Sequence, residues 1–382
     1  MSTLNVEGIK NTSASSNAIT LATDGTCTAK VTNNLSNRNV IQNGAMEVAQ
    51  RSTSVAITGG GYHTVDRWQT VANSSMTYAV TMSQEDDGPP GFRKSLKLLT
   101  TAAKTPSGSE NYILRTRLEE YDIYRFDYGR SSCKEATVSW WVKSNKTGTY
   151  SNQWYLKRNG SGDISMTTSY TIDTANTWEK KSTVIPVYTT SFSHVTGTAC
   201  GLMMDWHLAS GPDDITGAFS WTGQGAARAV TGQVNILDTV NNYFQITGIQ
   251  LEVGSTPTDF EHIRYGEELS KCQRYCRVYG GNASYERIGI GYFSNTTRLE
   301  CPLTLAPQMR TTPSLTVSSA GHWKAESPSG SGEFTAVGLD GNSSNQVAIV
   351  WGDKSNTFTA GESGRFLTDN TTDARITLNA DP

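Results

Sequence analysis

From Asn39 to Asp259 apolar residues recur at every second position, run after run, with turn-forming residues between the runs. A period of two places successive side chains on opposite faces, so each run describes a strand with one face toward a core. In 136–143, Ala136, Val138, Trp140 and Val142 share a face, with Thr137, Ser139 and Lys143 opposite. Leu202, Met204, Trp206 and Leu208 alternate with Met203, Asp205 and His207 in the same way. The runs 153–157 and 164–170 flank Asn159-Gly160-Ser161-Gly162, a hairpin signal because Asn-Gly accepts the positive φ of primed turns. In 244–253 the apolar phase runs Phe244, Ile246, then jumps to Ile249, Leu251, Val253. One extra residue at Thr247-Gly248 restores a single face, which predicts a β-bulge there.

Composition agrees with many short strands. Charged residues are only 18% of the 382, and 35 Gly stand against 11 Pro, so polarity comes from Ser, Thr, Asn and Gly in turns and wet faces. The net charge is -3 with the signs interspersed, which argues against nucleic acid as a partner. No apolar run reaches the length of a membrane-spanning helix, and 1–16 lacks the pattern of a secretory leader, so a soluble chain without membrane insertion is expected.

One segment breaks the rule. In 265–279, Leu269, Cys272, Cys276 and Tyr279 recur at three and four residues, with Glu267 and Glu268 early, Lys271, Arg274 and Arg277 late, and Gly280-Gly281 as a stop. That pattern predicts a helix between two β regions. The expected organisation is an extended N-terminal arm over 1–38, with strands at 18–22 and 26–31 around an Asp24-Gly25 turn, then a jelly-roll β-sandwich over 39–262. A connector helix over 263–281 and a small C-terminal β domain over 282–382 follow. The fold class is all-β, an antiparallel jelly-roll β-sandwich.

Catalytic chemistry leaves little trace. Walker A, HExxH, GxSxG and CxxC motifs are absent, and the pieces Gly59-Gly60-Gly61 and Gly223-Gln-Gly225 read as turns. The six cysteines are scattered apart from Cys272/Cys276, and read as thiols rather than as a disulfide framework or metal ligands. Acidic loops at Glu85-Asp86-Asp87-Gly88 and Asp213-Asp214 lack EF-hand spacing and read as solvated. The Asn-x-Ser/Thr sequons, including those at Asn11 and Asn34, follow from composition. No cofactor and no metal site is expected.

The aromatic residues, 9 Trp, 16 Tyr and 10 Phe, are the sharper feature. Burial of one ring is worth about 4–6 kcal/mol, so a core position is the default for Trp140 and Trp206. Trp141 falls opposite the apolar face of its strand, and Trp154, Tyr155 and Trp221 adjoin polar turns. These four are the candidate ligand-binding residues, for a glycan platform or a subunit interface.

Three stretches resemble bacteriophage tail-fibre and fibre-like virion structural proteins with a carbohydrate-binding-module-like jelly roll. The first is Asn39-Val-Ile-Gln-Asn-Gly leading to Gln50-Arg51, with Tyr62-His-Thr-Val-Asp-Arg-Trp68; the second is 138–144 with 174–181. The third runs from 244–254 through 256–261 into Gly266-Glu-Glu-Leu-Ser-Lys-Cys-Gln-Arg-Tyr275. The resemblance implies a non-enzymatic virion protein assembled in the host bacterial cytoplasm. It implies a homotrimer, held to other virion proteins through its N-terminal arm and adhering to a host surface glycan. Rival expectations are an architectural virion component (head fibre, decoration or baseplate protein) and, behind it, an enzyme that degrades capsular polysaccharide.

Overall fold

The computed structural model describes residues 36–382 except 74–75, 161, 218, 224–227 and 355–357, and before them residues 6–10, 12–13, 15, 18–21, 23 and 27–29. Two antiparallel sheets form the larger unit. One has six strands in the order Glu179–Ile185, Ala136–Ser144, Tyr243–Val253, Ser95–Ala102, Ala79–Glu85, Ser54–Ile57. The other has seven, in the order Thr222–Gly223, Ile164–Ile172, Gly148–Leu156, Cys200–Ser210, Asn111–Glu119, Gln69–Ala72, Gly61–Tyr62. Their inner faces close on one core, giving a β-sandwich of the jelly-roll type.

The alternating runs account for that core. Trp140 from the six-stranded sheet meets Trp206 from the seven-stranded one edge-on at 6.0 Å between centroids, and Trp68 and Trp154 meet the same Trp206 ring at 5.6 and 6.1 Å. The bulge is where the phase jump put it. Ser139 pairs with Gln250 but Trp141 pairs with Thr247, so one residue faces two, and Gly248 takes the positive φ of 62°. Ile246, Ile249 and Leu251 all stay inside as a result. The 153–170 hairpin also forms, with Leu156 opposite Ile164; Ser161 of its loop lies outside the described residues.

The helix is shorter than its periodicity. It spans Tyr265–Gln273, and Cys276–Tyr279 is instead a strand paired with Ile376–Asn379. Val278 and Tyr279 favour extended backbone, and a sheet partner outweighs the stripe that would have continued the helix. The strand belongs to the C-terminal unit, where it joins Ile376–Asn379 and Ser314–Val317 in a three-stranded sheet against a seven-stranded one. Their core is separate and includes Phe293, Leu299, Trp323, Phe366 and Leu378.

Before residue 36, the strands Gly8–Ile9, Ile19–Leu21 and Cys27–Ala29 pair into a small antiparallel sheet, with Ile9 and Leu21 exposed. The expected turn at Asp24-Gly25 lies outside the described residues, as do Thr26, Lys30 and Val31, Gln224 and Gly225, the sequon asparagines Asn11 and Asn34, and the Cys27 side chain.

Two of the three stretches that carry the family resemblance, the first and the third, meet at the joint between the two units. Asn43 N–H donates to Glu268 Oε1 at 2.7 Å, and Asn43 Nδ2 donates to the carbonyls of Val48 and Asp66. Arg67, 1% exposed, donates to Gln42 Oε1 at 2.9 Å and to Asp381 Oδ1 at 2.7 Å, and its guanidinium lies 3.5 Å from the Tyr275 ring centroid. Arg51 reaches the other Asp381 oxygen at 2.6 Å. Glu119 takes Arg274 through two hydrogen bonds and the Tyr275 hydroxyl at 2.6 Å. Burial pushes the Asp66 carboxyl up to about 6 despite Arg51 at 3.6 Å. Gly44 is required here, because a Cβ would sit 2.2 Å from the Ile249 carbonyl.

Candidate functional site

The outer face of the six-stranded sheet carries the most unusual surface among the described residues. Strand partners put Lys180, Trp141 and Thr247 in one row, and Lys143, Gln245 and Lys97 in the next, all facing away from the core. Two loops lean onto these rows. The first, 86–94, brings Phe92; the second, 254–264, brings Phe260 and His262. Phe92 lies 5.0 Å from Phe260 and 5.1 Å from His262, and those two lie 4.8 Å apart, by ring centroids.

Gly248 makes the meeting possible. A Cβ there would come within 2.7 Å of Phe92 and 3.0 Å of Trp141, so the bulge glycine leaves the hollow in which both rings settle. At the other end Trp178 stands with Lys143, whose ammonium lies 5.0 Å from its ring centroid. Asp87 ties this end together, accepting from Lys143, from Trp178 Nε1 at 3.4 Å and from Gln245 Nε2 at 3.1 Å. These bonds hold its carboxyl below the usual carboxylate range, against the opposing effect of partial burial.

The outcome is a row of half-buried rings, Trp178, Trp141, Phe92 and Phe260, ending at exposed His262. The ammonium groups of Lys180 and Lys143 lie beside them on the sheet, while Gln245 and Thr247 of the same rows are buried. Flat apolar faces interleaved with polar groups suit a ligand that has both characters, with C–H faces to stack and hydroxyls to bond.

The four aromatic residues singled out in the sequence stand in four different places. Trp141 is on this row. Trp154 is fully buried in the core and offers no surface to a ligand; its strand phase is shared with Tyr150 and Leu156, and this outweighs its closeness to a polar turn. Tyr155 is on the outer face of the opposite sheet, 9% exposed, near the Arg115–Asp205 ion pair, and burial raises its phenol. Trp221 packs edge-on against Tyr128 and Tyr188 and donates its Nε1–H to the Pro186 carbonyl at 3.0 Å.

Phe92, Trp178, Phe260 and His262 were not singled out. They come from loops and strand ends far apart in the chain, and only the sheet brings them together. Trp178 and Phe260 left a trace, inside the 174–181 and 256–261 stretches of the family resemblance.

The acidic loops are occupied by cations of the protein. Asp86 pairs with Lys94 at 2.8 Å and Arg93 at 3.4 Å, and Asp214 with Arg228 at 3.2 Å and Asn111 at 2.6 Å. No cluster of three or more His, Cys, Asp or Glu suited to a metal occurs among the described residues. Cys272, Cys276 and Cys301 are buried thiols, with Cys133 and Cys200 partly exposed. His207, on the outer side of the seven-stranded sheet, is buried between Gln153 Oε1 at 3.1 Å and Ser210 Oγ at 3.2 Å, and burial lowers it to about 4.

No family model and no curated protein sequence matches the chain. Among solved structures it is similar to the enzymatically active domain of tailspike protein 4 of bacteriophage CBA120, at 12% identity and a TM-score of 0.32. That match covers 56% of this chain and 21% of the tailspike chain, so the chain spans about a fifth of that protein's length. It is also similar to the family 11 carbohydrate-binding module of Clostridium thermocellum, solved with a mixed-linked tetrasaccharide, at 11% identity and a TM-score of 0.27, covering 55% and 98%. A putative sugar-binding protein of Bacteroides thetaiotaomicron aligns at 10% identity and a TM-score of 0.33, covering 57% and 100%. Similarities of this size share the outline of a sandwich and say nothing about a ligand.

Proposed function

We propose that this chain is a non-catalytic glycan-binding protein that holds a saccharide chain along the aromatic row of the six-stranded sheet. The observation that carries the reading is the row itself: rings from Trp178, Trp141, Phe92 and Phe260 set on one sheet face, anchored by Asp87 and by the hollow over Gly248. Trp141 is the central contact, with exposed Lys180 beside it in register on the same face. The sequence resemblance supports placing this activity on a phage virion assembled in the bacterial cytoplasm, where a homotrimeric fibre attached through its N-terminal segment adheres to the host. Trimeric display raises weak single-site binding by about 10²–10⁴ through avidity.

The test is retention on immobilised polysaccharides. Trp141→Ala is expected to weaken binding about tenfold, the loss typical of truncating a central aromatic contact, with the melting temperature held. Unchanged retention would overturn the assignment of this face.

A second reading, an architectural virion protein, is favoured by the outer face of the C-terminal sheet. Ile290 and Tyr292 there are 72% and 50% exposed in mid-strand, where polar residues are the rule. Under this reading the purified chain self-associates or binds virion subunits and retains no glycan.

A further inference from the structure

Resting on the glycan-binding reading, we infer that the saccharide recognised by the six-stranded face is acidic, bearing uronate carboxylates or sulfate groups. The low overall charge hides a local imbalance. Lys180 pairs in register with Trp141, one strand away on the same face, and is exposed with no hydrogen bond or ion pair among the described residues. Lys97 pairs with Gln245, its ammonium lies 5.1 Å from the Tyr243 ring centroid, and it has no ion pair among the described residues. Arg93, 78% exposed, flanks Phe92 and shares Asp86, at 3.4 Å, with Lys94.

The acidic groups at this end of the row are already engaged. Asp87 is held by Lys143, Trp178 and Gln245, and Asp86 by Lys94 and Arg93. Glu261 accepts the backbone N–H groups of Asn37 and Asn39. Asp259, exposed beside Phe260, is the exception at the far end. With strands about 4.8 Å apart, Lys180 and Lys97 lie to either side of the line through Trp141 and Lys143. An anionic chain stacked on Trp141 therefore meets uncommitted cations on both flanks, whereas a neutral chain leaves them unused.

The experiment compares retention of the full chain on polygalacturonate, alginate and heparin with retention on xylan, galactan and mixed-linked glucan. A Lys97→Glu/Lys180→Glu variant is run beside the wild type, its melting curve confirming the fold. The inference expects retention on at least one acidic polymer, weakened about tenfold by the double reversal. The same retention should fall steeply by about 0.5 M salt, where screening is nearly complete within a few Å. Retention on neutral polymers alone overturns the acidic class and leaves the glycan-binding reading standing. Acidic retention indifferent to salt and to the double reversal also overturns it. Retention on no polymer of either set defeats both.

Discussion

Gly248 is where the fold and the candidate site depend on one atom that is absent, so Gly248→Ala is the most informative single change. Two costs add. An L-residue at φ 62° pays roughly 1 kcal/mol for left-handed backbone. The new methyl also falls 2.7 and 2.9 Å from Phe92 and 3.0 Å from Trp141, and overpacking of this kind costs about 1–3 kcal/mol. The expected loss is therefore about 2–4 kcal/mol, which in a unit of this size lowers Tm by about 4–16 °C. Denaturant unfolding followed by tryptophan fluorescence measures it, with Trp141 itself reporting the displaced ring. Phe92→Ala in the same chain should return the steric part and leave the backbone part, and Gly248→Asn should lower the backbone part, since Asn tolerates this region better. A loss below about 0.5 kcal/mol, or one that Phe92→Ala does not relieve, would refute the view that the bulge glycine exists to seat the two rings.

Three further outcomes follow from the core and the joint. Trp206→Ala removes the ring that Trp68, Trp140 and Trp154 all meet, and should cost about 3–5 kcal/mol in chemical denaturation. His207 is held neutral by burial, at about 4 against an ordinary 6.5, so the unfolded chain binds its proton first as pH falls. Stability is then full above 6.5 and declines by about 3 kcal/mol as pH drops toward 4, a slope that His207→Gln should flatten in pH-dependent melting. Asp381→Asn leaves Arg67 buried without its carboxylate, a change that costs about 3–5 kcal/mol and should split one calorimetric unfolding transition into two as the units uncouple.

What could be read from the residues was whatever local periodicity controls. The face shared by Ala136, Val138, Trp140 and Val142 is the core face, and the phase jump after Ile246 marked the bulge correctly. Where periodicity met tertiary pairing, pairing won: Cys276 and Tyr279 fit a helical stripe, yet Ile376–Asn379 draws them into a sheet. Trp154 shows a different failure, since nearness to a turn says less about exposure than the phase of the whole strand does. The aromatic row was legible only at Trp141, because Phe92 and Phe260 owe their places to a bulge and two loops that no short window contains. Of the motifs behind the family resemblance, Asn39–Gly44, Asp66-Arg67-Trp68 and Glu268–Tyr275 build the joint between the units and report on architecture, whereas 138–144 and 174–181 carry Trp141 and Trp178 of the aromatic row.

The central claim is that the aromatic face of the six-stranded sheet binds saccharide. A glycan array probed with the purified chain and with a Trp141→Ala/Trp178→Ala variant of unchanged melting temperature tests it most directly. The wild type should label a defined set of glycans, and the variant should lose that labelling. A wild type that labels none, or a variant that labels the same set at equal strength, would contradict it.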